Sequence, residues 1–416
     1  IPPNKTIMGL SFGFLETQAN TEIVADLSIA TVVTIGSGAS GSSGGIQNIG
    51  INRSSGTVPS GSIGLLINGL RYVSVENVQL YNHETAIKCS SSLGTKLTHV
   101  LTTKITKTHL WFADNVQADC FNVICGRDGG GDVECDQYIR VSGSDCDTLR
   151  FTNCQFNLSG ADAIDAARAI FIDTYTSANG ILAFTDCHFE RVGVGSSDGA
   201  GDNCIIYQAS TTEFARMSFN QCTFGTDVSS VFFDSGVPSA FLKEFVLVNS
   251  PFVVPSLTLT GATYIAVTGN HFNDDVIIDD CKGTYVGNTH KGDLTLQGTM
   301  VGLTCAANEI DGTFTDNSDG SKSVYGNVDS TAATQQTMPS RFEKTALRVI
   351  VPDIANATYS TSITLPAADG TTHVIVATDG VAFAINAPTN PTTGQIIHIR
   401  IANTSGGALG AITWNA

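Results

Sequence analysis

Three polar residues hold similar places in the chain: Asp173 follows the apolar run AIFI, Gln208 follows CIIY and Asp234 follows VFF. They lie 13, 13 and 15 residues before Asp186, Gln221 and Asn249. If those three later residues are equivalent points of a repeat, Asp173, Gln208 and Asp234 fall on successive coils. Asp173 and Asp234 are then about 9.6 Å apart along the stack, twice the spacing between neighbouring strands. Two carboxylates roughly 6.5 to 9.5 Å apart suit inverting glycoside hydrolysis, one protonating the leaving oxygen and the other activating water. Asp173 and Asp234 are therefore the expected catalytic pair, with Gln208 between them binding substrate. The plain alternative is that polar residues at strand ends only solvate turns.

Glu190 is a further catalytic candidate, just after the strand-like LAFTDCHF and beside Arg191, although an acid next to a guanidinium also reads as an ordinary ion pair. Tyr175 and Tyr207 are expected substrate-binding residues, as are Arg191 and Asp202 in or near the neighbouring loop; Trp111, Tyr175 and Tyr207 are the rings near these loops that could pack on sugar. Residues 127–136 (RDGGGDVECD) place Asp128, Asp132, Glu134 and Asp136 around three glycines. Such hard oxygen ligands suit calcium, but the spacing departs from an EF-hand loop and a solvated turn explains it as well, so no metal or other cofactor is expected. His188 and His271 face outward in their repeats without a second ligand at useful spacing. GSGASG at 36–41 is followed by another strand pattern, not a helix, and GxSxG at 41–45 and 195–199 lies in glycine-rich loops with no strand-to-helix elbow. Nucleotide binding and a serine hydrolase are both set aside.

The elements that must position these residues are legible as a repeat of the form apolar-x-apolar-x-Asn-small-x-apolar. It reads VSVENVQL at 73–80, LRFTNCQF at 149–156, LAFTDCHF at 182–189, MSFNQCTF at 217–224, FVLVNSPF at 245–252 and IAVTGNHF at 265–272. Its pivots are Asn77, His99, Asn122, Asn153, Asp186, Gln221, Asn249, Gly269, Gly287, Ala307 and Gly326, spaced 22, 23, 31, 33, 35, 28, 20, 18, 20 and 19 residues apart. A strand repeat of about twenty residues with no helix between copies signals a parallel β-helix. Asn and Gly at the pivots tolerate a left-handed bend, and Asn side chains there can bond along the stack. Phe156, Phe189, Phe224, Phe252 and Phe272 are expected to form one inward ladder, and Cys154, Cys187 and Cys222 another.

The longer spacings leave ten to fifteen extra residues in loops, where function usually resides: 127–136, 159–168 and 192–202. The second, SGADAIDAAR, reads as one short helix. The repeat ends near 330; a polar linker at 331–345 leads to a small module at 346–416, with strands expected at 347–351, 362–365, 373–377, 381–386, 395–402 and 411–414. The fold expected is all-β: a right-handed parallel β-helix over 1–330 followed by an antiparallel β-sandwich, probed by Pro, Gly and Asn turns.

Composition agrees. Of 416 residues only 14% are charged, well below a typical ~25%, and 42 are glycine, which suits many short strands and turns. A net charge of −17 with no basic patch opposes nucleic-acid binding, and no apolar run reaches the ~20 residues of a membrane-spanning helix. Eleven cysteines without a CxxC pair read as free thiols, as in a reducing cytoplasm. The start on Ile1-Pro2-Pro3 reads as a cut within a longer protein.

On these repeats, the chain resembles bacteriophage tailspikes and tail fibres with a pectate-lyase-like right-handed parallel β-helix. The opening IPPNKTIMG is similar to the first coil of such helices, and TGQIIHIRIANTSGGALGAITW at 393–414 is similar to small β-modules that follow them. The resemblance implies a homotrimer, assembled in the host cytoplasm and joined to other tail proteins in the virion. It also implies binding, and often cleavage, of a bacterial surface polysaccharide such as capsule or lipopolysaccharide, without a cofactor or membrane insertion. It carries no catalytic motif onto particular residues. A non-enzymatic structural or adhesive fibre and a calcium-dependent polysaccharide lyase remain the alternatives.

Overall fold

The computed structural model describes residues 5–8, 22–36, 43–126 except 55 and 115, 135–156, 166–175, 179–190, 192, 204–209, 214–225, 231–235, 242–252, 256–329, 334–335, 354–357, 359–366, 372–389 and 397–415. The chain divides into two compact units, Ile1–Pro339 and Ser340–Ala416.

The first unit is a parallel β-helix. Its strands pair with those one coil before and after, in parallel, and the exception among the described strands is the antiparallel pair Val328–Asp329 with Thr334–Gln335. Asn48 and all eleven expected pivots have φ between +50° and +69°. That one column of left-handed residues turns each coil by the same bend, whatever the spacing to the next. Asn77 Nδ2 donates to Asn48 Oδ1 at 2.9 Å, and Asn122 bonds His99 Nε2 at 3.0 Å and also Asn153, so the pivot side chains are tied along the stack.

Inward ladders form the core. Phe156 stacks on Phe189 at 4.8 Å and Phe189 on Phe224 at 5.1 Å; the backbone register carries the column on to Phe252 and Phe272, and His290 stacks on Phe272 at 5.1 Å. A second stack, Phe151–Phe184–Phe219, runs beside it at 4.8 and 4.9 Å.

The residue after each pivot forms a third buried column whose chemistry changes along the chain. It reads Ile49, Val78, Val100 and Val123, then Cys154, Cys187 and Cys222, then Ser250, and finally Asn270, Asn288, Asn308 and Asn327. The Cys154 and Cys187 thiols donate to the carbonyl two residues before the preceding pivot, as Cys187 does to Phe151 O at 3.5 Å. In the asparagine coils Nδ2 takes over that bond, as Asn288 does to Val267 O at 3.1 Å, while its Oδ1 accepts from Asn270 N and Nδ2, both at 3.0 Å. All eleven cysteines are buried thiols outside any disulfide. Burial pushes Cys125 and Cys305 up to about 12, which keeps those thiols neutral.

In the second unit the strands are Ile354–Ala357, Ser362–Pro366, Thr372–Ala377, Phe383–Thr389, His398–Asn403 and Ile412–Trp414. Two three-stranded sheets share a core of Ile363, Leu365, Ile375, Phe383 and Ile385. The expected antiparallel pairing is corrected: successive strands alternate between the sheets, so each strand stacks in parallel on the one two positions earlier. Turn residues mark where the chain reverses and not whether it returns to the same sheet, which is why the pattern read as hairpins. The expected strand at 347–351 lies outside the described residues.

Candidate functional site

The strand preceding each pivot strand carries a second repeat whose third position is variable: AIKC at 86–89, HLWF at 109–112, YIRV at 138–141, AIFI at 169–172, IIYQ at 205–208 and FFDS at 232–235. Register aligns the variable positions as Lys88, Trp111, Arg140, Phe171, Tyr207 and Asp234. The first four side chains of this column are half-buried and Tyr207 is buried.

This register corrects the expected stack of Asp173, Gln208 and Asp234. Asp234 aligns with Tyr207 and Phe171, so it belongs two residues short of Asp173 along the strand. Two coils of axial offset and two residues of lateral offset put Asp173 and Asp234 about 12 Å apart in the backbone. Gln208 aligns with Ile172, whose side chain points inward, and is itself fully buried. Two offsets produce this: the connection from Tyr207 to Gln221 is one residue shorter than that from Phe171 to Asp186, which carries Gln208 onto the inward face, and Asp234 lies two residues farther from its pivot than Asp173 does, which places it in the neighbouring column. A slip of one reverses the face and a slip of two shifts the column.

What the column does assemble is a cation–aromatic stack. Lys88 Nζ lies 3.6 Å from the centre of the Trp111 ring and the Arg140 guanidinium 4.4 Å from it, on the neighbouring coils before and after. Arg140 is also 5.7 Å from the Phe171 ring, which stacks on Tyr207 at 5.8 Å. Arg168, fully buried, lies over Phe171 at 4.4 Å and bonds Gln137 Oε1 at 3.3 Å. Trp111 Nε1 donates to Ser142 Oγ at 2.7 Å, which fixes the indole. Asp173 pairs with Arg140 Nη2, so its carboxylate serves an ion pair in this arrangement. Lys88 is held below the usual lysine range, first by burial and then by the charge of Arg140, with Asp114 opposing both. Because ladder rings lie flat against the coils above and below, Trp111 offers a ligand its edge and not its faces.

Glu190 directly follows the short strand His188–Phe189, with the strand Ile181–Thr185 between it and Asp173 in the chain, and bonds His188 Nε2 at 3.2 Å. His271 bonds Asn273 Oδ1 at 3.0 Å with the same two-residue spacing, so both outward histidines are held by local partners. The backbone of Tyr175 aligns with Gly143. The side chains of Tyr175 and Asp234, and all of Arg191 and Asp202, lie outside the described residues. So do 127–134 of the acidic glycine loop, 193–202 of the third long loop and 159–165 of the stretch expected as a helix, whose remainder, 166–168, belongs to the strand Ala166–Tyr175. Among the described residues no group of three or more His, Cys, Asp or Glu is placed to hold a metal ion.

Lys88, Arg140 and Arg168 were not singled out in the sequence. The tetrapeptide repeat could have found the first two, since they occupy its variable position. No family model, curated protein or solved structure matches this chain.

Proposed function

We propose that the chain is a receptor-binding part of a bacteriophage tailspike or tail fibre. In this reading it holds a bacterial surface polysaccharide against the outward column Lys88, Trp111, Arg140, Phe171 and Tyr207. That column is the observation that carries the proposal: the half-buried Lys88, Trp111, Arg140 and Phe171, fixed one per coil and backed by the buried Tyr207, form a preorganised binding strip. Binding without cleavage is favoured, because the Asp173 carboxylate is committed to Arg140.

The reading includes a homotrimer within the virion. Supporting it, two outward columns of the pivot sheet, from Ala183 to Ser323 and from Thr185 to Tyr325, run through seven coils without a charged residue. Such a face allows identical chains of charge −17 to approach without repulsion across it. A purely structural fibre is the second reading, favoured by the occupied faces of Trp111.

The test incubates purified protein with surface polysaccharides from a panel of bacteria, measuring binding by calorimetry and polymer length by size exclusion. Binding of at least one polymer without shortening is expected, weakened tenfold or more by Trp111→Ala. Shortening abolished by Asp173→Asn would restore the hydrolase. Absence of binding across the panel would leave the structural fibre.

A further inference from the structure

Trp111 is flanked on both faces by cations, so what this strip presents outward is charge more than ring surface. Lys88 and Arg140 flank it one coil on either side, and Arg168 lies over the adjacent Phe171. Asp173 is the carboxylate paired with the column, and it engages Arg140. Among the described residues no carboxylate lies within ion-pair distance of Lys88, whose ammonium is partly desolvated and repelled by Arg140. An incoming anion relieves that repulsion and replaces lost solvation, and the gain is largest where water is already partly excluded.

Resting on the reading of this chain as a polysaccharide-binding fibre, we infer that its ligand is an acidic polysaccharide, running along the coil stack with anionic groups against Lys88 and Arg140. The two cations lie 3.6 and 4.4 Å from the same ring centre, so their charges are at most about 8 Å apart and successive anionic groups of one polymer can engage both. The chain as a whole carries −17, so a polyanion is repelled everywhere that lacks such a local arrangement. Binding of an acidic polymer by this protein is consequently a statement about one place on it.

The experiment measures binding by calorimetry at two salt concentrations with four probes. They are a polymer alternating glucuronate with N-acetylglucosamine, the same polymer with its carboxyl groups reduced to alcohols, a glycerol-phosphate polymer, and neutral dextran. The expected result is binding of the uronate or phosphate polymer, at least tenfold weaker for the carboxyl-reduced form than for its parent and weaker at high salt. Lys88→Gln should lose tenfold or more and Lys88→Arg should recover most of it, with melting temperatures of both variants confirming that they fold. Preference for phosphate over uronate would identify the anionic group while keeping the inference.

Equal binding of the reduced and unreduced polymers, or indifference to Lys88→Gln, would overturn it. Binding of dextran alone would overturn it too, yet leave the polysaccharide-binding reading intact. No binding to these probes or to the bacterial panel would remove both.

Discussion

Asn288→Leu is expected to destabilise the β-helix by about 4 kcal/mol, from two or more buried polar groups left without partners at roughly 1 to 3 kcal/mol each. Leucine fills a similar volume, so the loss is one of hydrogen bonding and not of packing. Asn288 Oδ1 accepts from the backbone N–H and the Nδ2 of Asn270, and its Nδ2 donates to Val267 O and Asn308 Oδ1. All of these groups are excluded from water, with Asn270, Asn288 and Asn308 at most 2% exposed. Cys187→Val, earlier in the same column, removes thiol bonds to Phe151 O and Thr185 O and the sulfur that the Cys154 N–H faces, all of them weak because sulfur is a poor donor and acceptor. It should cost less than about 1.5 kcal/mol, as volume-conserving apolar exchanges do. Urea denaturation followed by circular dichroism compares the two. Equal losses would mean that the asparagine column packs rather than bonds.

The second large effect is acid unfolding. His83, His109 and His290 are buried, and burial is the leading cause that lowers them to about 4, about 3 and about 4. Each is held as a neutral ring by one bond: His83 Nε2 donates to Ile51 O, His109 Nδ1 meets Thr102 Oγ1, and His290 Nε2 meets the Tyr285 hydroxyl. In each the other ring nitrogen is buried without a partner among the described residues, so an added proton finds no acceptor there. The unfolded chain binds these protons near pH 6.5 and the folded chain only near 3 to 4. Stability is therefore full above 6.5 and lost as pH falls through the window from 6.5 to about 4. Each histidine contributes roughly 3 kcal/mol of that loss at pH 4. Urea midpoints at pH 7.5, 5.5 and 4.5 should fall in order, and His109→Phe should flatten the trend. A midpoint independent of pH over that range would contradict the assignment.

Much of this fold was legible because a left-handed bend admits few residue types. Asn77, Asn153, Asp186, Gln221 and Asn249 stand out at regular places among β-branched and aromatic residues, and their φ values confirm the bend they mark. The phenylalanine ladder follows from the same anchor, since Phe156, Phe189 and Phe224 each lie three residues past a pivot. The strand before the pivot was not legible in the same way. Asp173 and Asp234 stand 13 and 15 residues before their pivots, and that difference of two preserves the face of the strand while moving the column. Lys88 and Arg140 were missed because neither belongs to an acid pair, and their meaning comes only from the indole between them. The parallel pairing of the second unit was hidden because alternation between two sheets leaves the same turn residues as a run of hairpins.

The constancy of the pivot bend has a consequence for how such a molecule can diversify. Successive pivots are separated by as few as 18 and as many as 35 residues, yet each returns to nearly the same backbone angle. The core therefore does not record how much chain lies between its columns. Doubling the length of a flexible connection costs only about 0.6 kcal/mol in closure entropy. Segments can be exchanged or lengthened between fixed anchor points without re-registering a single inward ladder, so the recognition surface and the scaffold vary on separate accounts.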